Sequence, residues 1–169
     1  MNNLINGIKS KEYIRERKCI ALMISSFQPN EDASNILRTA LDSILRFKRE
    51  DSCVWVIDVG SPKSDYLVTP EEYPSINFVI TDYIPKSWES TPLYKRIPKI
   101  ILGQAPPRAG SNANAWTLDY GMLTFKKINY SPEYLMTLQM DIMFTHKNFL
   151  DSLLQLFTEK TAAVGVLKQ

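Results

Sequence analysis

The sequence is poor in the residues that most often announce a chemistry. It has 2 cysteines, Cys19 and Cys53, and they form no CxxC pair, so neither a disulfide framework nor a thiolate metal site is encoded. Both fall in apolar runs, which reads as reduced core thiols and a cytoplasmic protein. The single histidine, His146, has no Cys or His partner at metal-ligand spacing, which argues against zinc. Lys and Arg number 20 against 18 Asp and Glu, and a net charge of +2 is too weak to indicate nucleic acid or an anionic membrane as partner. No apolar run approaches the roughly 20 residues that span a bilayer. Met1-Asn2-Asn3 lacks the basic start and apolar stretch of a signal peptide. The sequence has no GxxxxGK[ST], which excludes a P-loop, and no GxSxG elbow. The first apolar run leads into SSFQPN instead of GxGxxG, which argues against a dinucleotide-binding Rossmann site.

What is present describes one globular domain. The chain has 169 residues, 44% of them hydrophobic and 22% charged, enough to bury a core without staples. Residues 19–26 (CIALMISS) and 53–58 (CVWVID) are short apolar runs that do not alternate with polar residues, the pattern of strands buried on both faces. Between them Ile36, Leu37, Ala40, Leu41, Ile44 and Leu45 recur at helical spacing. Asn30 stands at the N-cap of this helix, Glu31 and Asp32 in its first turn, Lys48 and Arg49 in its last. This βαβ order predicts parallel strands. A third strand is expected at 76–81, a fourth at 134–140 and a last one in AAVGVL, 162–167. A second helix is expected from Ser111 to about Lys127, with Ala115, Leu118, Met122 and Phe125 inward. A third begins near Asn148 with Phe149, Leu150, Leu153, Leu154 and Phe157 inward. Residues 82–110 hold five prolines and several basic residues and read as a functional loop, with a short strand from Ile97 to Leu102. The expected architecture is α/β, three-layer αβα with a mostly parallel sheet. Residues 1–18 form a polar, basic arm, and 19–169 the domain proper.

In an open parallel sheet, ligands bind beyond the carboxyl ends of the strands, where strand order reverses. The residues that follow each strand are therefore the candidates. They are Ser25, Ser26 and Phe27 after the first, Asp58, Gly60 and Ser61 after the second, Thr81 and Asp82 after the third, and Asp141 after the fourth. Hydroxyls and carboxylates at such a rim can hydrogen-bond a ribose or base and hold a cation that bridges phosphates.

These strand ends resemble the nucleotide-binding half of family 2 glycosyltransferases with the GT-A fold. The resemblance rests on Ser25-Ser26-Phe27 after the first strand and Asp58-Val59-Gly60-Ser61 after the second. It rests also on the turn and helix Gly110 to Asp119, and on Leu138 to Phe144 where the family carries its DxD motif. It implies a nucleotide-diphospho-sugar-transferase-like domain that moves a sugar from a nucleotide sugar donor to an unknown saccharide, lipid or protein acceptor. Ser25, Ser26, Phe27, Asp58, Gly60 and Ser61 would hold the nucleotide. Asp141 would ligate Mg²⁺ or Mn²⁺ and, through it, the diphosphate. Gln139 stands where the first Asp of the motif belongs if Asp141 is the second. The acceptor-binding part and its catalytic base would follow the last strand, so the domain is expected to stop short of them and the catalytic residues are unassigned. The alternative is a non-catalytic nucleotide-binding or assembly module of the same fold; in either case the exposed sheet edge of a shortened domain invites a partner or dimerisation. A receiver-type or flavodoxin-like domain ranks last, because SSFQ lacks the acidic pair after the first strand.

Each candidate also has a structural reading. Asp58 in Asp-x-Gly caps a turn, Ser25 and Ser26 satisfy backbone groups, and Ser61 caps a turn before Pro62. Asp141 lies between apolar residues, where a buried carboxylate is costly unless paired or metal-bound. Asp119 and His146 read as surface residues, Trp55 and Trp116 as core or cleft wall.

Overall fold

A computed structural model describes residues 20–81 and 109–157, with side chains from 117 onward in the second stretch. The arm, Cys19, Asp82, the Pro-rich loop with its short strand, and the strand expected at 162–167 lie outside the described residues. So do the side chains of Ser111, Ala115 and Trp116.

Among the described residues four strands form the sheet: β1 (Ile20–Ser26), β2 (Ser52–Val59), β3 (Asn77–Thr81) and β4 (Tyr134–Gln139). Their spatial order is β3-β2-β1-β4, and every pairing is parallel. The protein is thus of the α/β class. β1 is central, with Ser26 opposite Asp58 of β2 and Ser25 opposite Gln139 of β4.

Helix α1 (Glu31–Phe47) links β1 to β2. Its N-cap is Asn30 as the sequence predicts, the side chain accepting from Ala33 N at 3.0 Å. Its last turn holds Arg46. Lys48 is already the C-cap and Arg49 lies beyond the helix, which ends two residues earlier than expected. Leu37, Leu41 and Ile44 pack on one face of the sheet, against Ile20, Leu22, Ile24, Val54, Val56 and Phe78. Each such side chain contributes roughly 1.5–3 kcal/mol by leaving water. Ile36, expected on this face, is 47% exposed, because the buried stripe runs instead through Ser34, Leu37, Ala40, Leu41 and Ile44.

Helix α2 (Ala109–Lys127) covers the opposite face, where Phe125 packs with Ala21, Met23, Cys53, Trp55 and Ile57. It starts two residues before Ser111, so that residue is inside the helix and not its cap. Met122, expected inward, is 48% exposed; among the described side chains of the helix Thr117, Gly121, Thr124 and Phe125 are buried. Small residues let the helix lie close to the sheet, which a purely apolar pattern does not reveal. After β4 the chain turns onto the α1 side. Phe144 is buried there and its N–H donates to Ser43 Oγ of α1 at 3.1 Å. The short helix α3 (Phe149–Leu154) adds Leu150 to the same core, while Phe149, Leu153, Leu154 and Phe157 are only half-buried.

The β2–β3 connection contains no helix. It runs as a strap along α1. Arg38 donates to both carboxylate oxygens of Glu72 at 2.9 Å and to Tyr66 O at 3.0 Å. Tyr73 Oη donates to Asp42 at 2.9 Å, and Val68 is buried in the α1-side core.

Candidate functional site

Because the strands are parallel, their carboxyl ends make one rim. The register puts Asp58 across from Ser26, and puts Gln139, two residues before Asp141, across from Ser25. Both candidate carboxylates therefore belong to the same end of the sheet, on either side of β1. Strand order runs 3-2-1 and then reverses to 4, so the reversal falls at the β1–β4 seam. Helix α2 runs antiparallel to the strands. Thr117 meets Ser25, Gly121 meets Met23, and Phe125 meets Trp55, so its amino end lies toward the rim.

Asp58 is 5% exposed and fully engaged. Its Oδ2 accepts from Ser61 Oγ at 2.7 Å, Ser26 Oγ at 3.0 Å and Gln28 Nε2 at 3.1 Å; its Oδ1 accepts from Ser61 N at 3.2 Å. A carboxylate offers about four lone-pair sites, and these bonds nearly fill them. Among the described residues its partners are hydrogen-bond donors without a cation. Gly60 has φ 68°, which the tight turn between Asp58 and Ser61 requires, and its N–H donates to Thr81 O at 2.9 Å, tying β2 to β3. The turn reading accounts for the two bonds from Ser61 to Asp58, whereas those from Ser26 and Gln28 to Asp58, and from Gln28 N–H to Ser61 Oγ, come from the end of β1.

The remaining candidates divide by exposure. Ser25 is half-buried, with Oγ donating to Thr117 Oγ1 at 3.2 Å across to α2. Ser26 is buried between Asp58 and Gln28. Phe27 projects outward, 49% exposed, between two buried neighbours. Asp141 is exposed in the turn after β4, while Met140 and Ile142 beside it pack toward the α1-side core. The apolar flanks therefore impose no burial cost on its carboxylate. Asp119 and His146 are exposed and Trp55 is buried, matching their structural readings.

Among the described residues, no group of three or more His, Cys, Asp or Glu is placed to hold a metal ion. At the seam Asp141 is a single exposed carboxylate with Gln139 nearby in sequence, a sparse donor set. It does not fit an all-protein cage. A groove of about 440 Å³ lies by Met122, Phe125, Tyr130 and Leu135, and another of about 640 Å³ by Arg49, Asn148 and Asp151. Both are toward the amino ends of the strands, away from the rim.

Gln28 is the residue that the sequence pattern passed over. It is 2% exposed, and it sits at the centre of the Asp58 cluster. The available signal was its position: two residues after Ser26, it continues the alternation that turns Ile20, Leu22 and Ile24 to the α1 side.

No family model matches the chain, no curated protein is similar to it, and no solved structure matches its fold. Among the described residues, no helix is long and apolar enough to cross a membrane.

Proposed function

We propose that the protein is a glycosyltransferase of GT-A-like fold that binds a nucleotide-diphosphate sugar at the carboxyl rim of its sheet. The observation that carries this reading is the reversal of strand order at the β1–β4 seam. The polar ends of both strands and the exposed Phe27 and Asp141 belong to that rim. In this reading Phe27 offers its ring to the nucleoside. Ser25, Ser26, Gly60 and Ser61 shape the pocket, and Asp58 acts through Ser61 and Gln28, since its own oxygens are occupied. Asp141 holds Mg²⁺ or Mn²⁺ together with the diphosphate. When bound, the metal supplies positive charge to the departing nucleoside diphosphate. The acceptor is a saccharide, lipid or protein, and the protein works in the cytoplasm, alone or self-associated.

The single carboxylate at the seam favours a second reading, a nucleotide-binding or assembly module without turnover. Titrating UDP, GDP and their sugars with Mn²⁺, and again with chelator, tests both. Metal-dependent binding with transfer or donor hydrolysis supports the enzyme, and binding without turnover supports the module. No metal-dependent binding to any of them overturns both.

A further inference from the structure

The Asp58 cluster joins the end of β1 to the β2 turn and the strap, some 30 to 40 residues further along the chain, and one side chain spans all three. Gln28 Nε2 donates to Asp58 Oδ2 at 3.1 Å and to Ser26 Oγ at 3.2 Å. Its Oε1 accepts from Val68 N at 3.0 Å, within the strap, and its backbone N–H donates to Ser61 Oγ at 2.8 Å. The orientation of the amide is fixed by its partners, because Asp58 can only accept and the Val68 N–H can only donate. No other neutral side chain of this length supplies a double donor at one atom and an acceptor at the next. Glutamate would place a second negative charge against Asp58. A hydrocarbon would leave Val68 N–H and one acceptor of Asp58 buried without partners.

We propose that Gln28 is a positioning residue that locks the β1 end, the β2 turn and the strap into one arrangement before ligand arrives. The lock holds Phe27 outward, since both of its neighbours, Ser26 and Gln28, are pinned below the surface. It also holds the strap against the end of β2, so the rim does not have to order itself on binding. What is positioned, a nucleotide site, rests on the function proposed above; the lock itself does not.

The test uses the full chain, with Gln28→Met as a variant of similar volume that can neither donate nor accept as the amide does. Two readouts are taken. One is amide hydrogen exchange at Val68 and Ser61 compared with Val54 and Val56. The other is the affinity for UDP and GDP with Mn²⁺. The expected result is exchange at Val68 and Ser61 faster by about tenfold or more with Val54 and Val56 unchanged, together with at least about tenfold weaker binding of whichever nucleotide the unaltered protein takes. Unchanged exchange at Val68, or an equal rise at all four amides, overturns the lock. Faster exchange with undiminished affinity overturns the positioning role. If the unaltered protein binds neither nucleotide, the proposed function fails, and the exchange result still decides the lock. Should Gln28→Met not fold, Ser61→Ala replaces it. That change removes a donor to Asp58 and the acceptor for Gln28 N–H; exchange at Val68 alone is then read against Val54 and Val56, where a selective rise supports the lock and an unchanged or uniform rate overturns it.

Discussion

Gly121 on α2 sets its bare Cα against the thioether of Met23 on β1, so closely that a β-carbon at that position would overlap the sulfur. Met23 is itself buried, with little room to withdraw. An added methyl therefore has to move the helix or the methionine. Overpacking of this kind costs typically about 1–3 kcal/mol, against a helix-propensity gain of about 1 kcal/mol for Ala over Gly. Gly121→Ala is expected to lower stability to urea by about 1 kcal/mol. In a Met23→Ala background the same change should become neutral or stabilising, because the obstruction is gone. Equal effects in both backgrounds would show that this contact does not set the helix height.

The cluster at Asp58 predicts unequal costs for two substitutions. Asp58→Ala leaves the Gln28 amide, two serine hydroxyls and the Ser61 N–H without their acceptor, with an expected loss of at least about 3 kcal/mol. Asp58→Asn keeps the shape and one acceptor oxygen, and should cost about half as much. Urea unfolding of both variants checks the ranking, and a harmless Asp58→Ala would mean that the bonds carry no net stability.

Asp141 should behave in the opposite way. It is exposed, so Asp141→Asn is expected to change stability by less than about 0.5 kcal/mol. If the proposed function holds, the same substitution weakens Mn²⁺-dependent nucleotide binding by about tenfold or more. Calorimetric titration beside an unfolding curve reads both effects, and retained metal-dependent binding would remove Asp141 from the site.

Tyr73 gives an alkaline prediction. Burial, and after it the hydrogen bond to Asp42, push its hydroxyl up from 10.0 to about 12. The folded state then holds this proton more tightly than the unfolded chain. The resulting stability is fully present below pH 10.0 and is lost as pH rises to about 12. The urea midpoint is expected to fall across that window in the unaltered protein, and to fall less in Tyr73→Phe. Identical alkaline profiles would contradict the assignment.

Glu72 gives the acidic counterpart. The Arg38 guanidinium that grips both its oxygens holds its carboxyl below the usual value of 4.5. This contribution is present above that value and is lost as pH falls through the lowered one. Glu72→Gln should flatten part of the acid limb of the stability profile. The pair is partly exposed, so the difference should shrink in high salt.

Much of the sheet was legible because parallel strands buried on both faces have to be apolar at every position, as in Ile20 to Ile24 and Cys53 to Ile57. Asn30 was legible because a cap is a local, single-residue signal. Two of the differences share one physical cause. Ile36 and Met122 were placed inward because they are large and apolar, yet the faces that meet the sheet carry Ser34, Thr117, Gly121 and Thr124, where close approach matters more than hydrophobicity. Gln28 was missed for a related reason. A polar residue beyond a strand reads as loop, and its burial depends on Asp58, Ser61 and Val68 converging on it from other parts of the chain. The candidates at the rim were found by position alone, through the rule that strand ends in a parallel sheet share one edge. Which of them face solvent and which face one another depends on contacts between distant segments.

The pairing of β1 with both β2 and β4 has a consequence for how the chain acquires its shape. Ile20 meets Ser52 early, after one helix, but it meets Tyr134 only when most of the sequence has been made. Until that partner arrives, the innermost strand carries an open row of amide and carbonyl groups along an apolar ribbon, which is the kind of surface that recruits other chains. The late arrival of Tyr134 to Gln139 is therefore expected to be the slow and aggregation-sensitive moment of folding, and a nascent chain halted before that segment would be the form most in need of a chaperone.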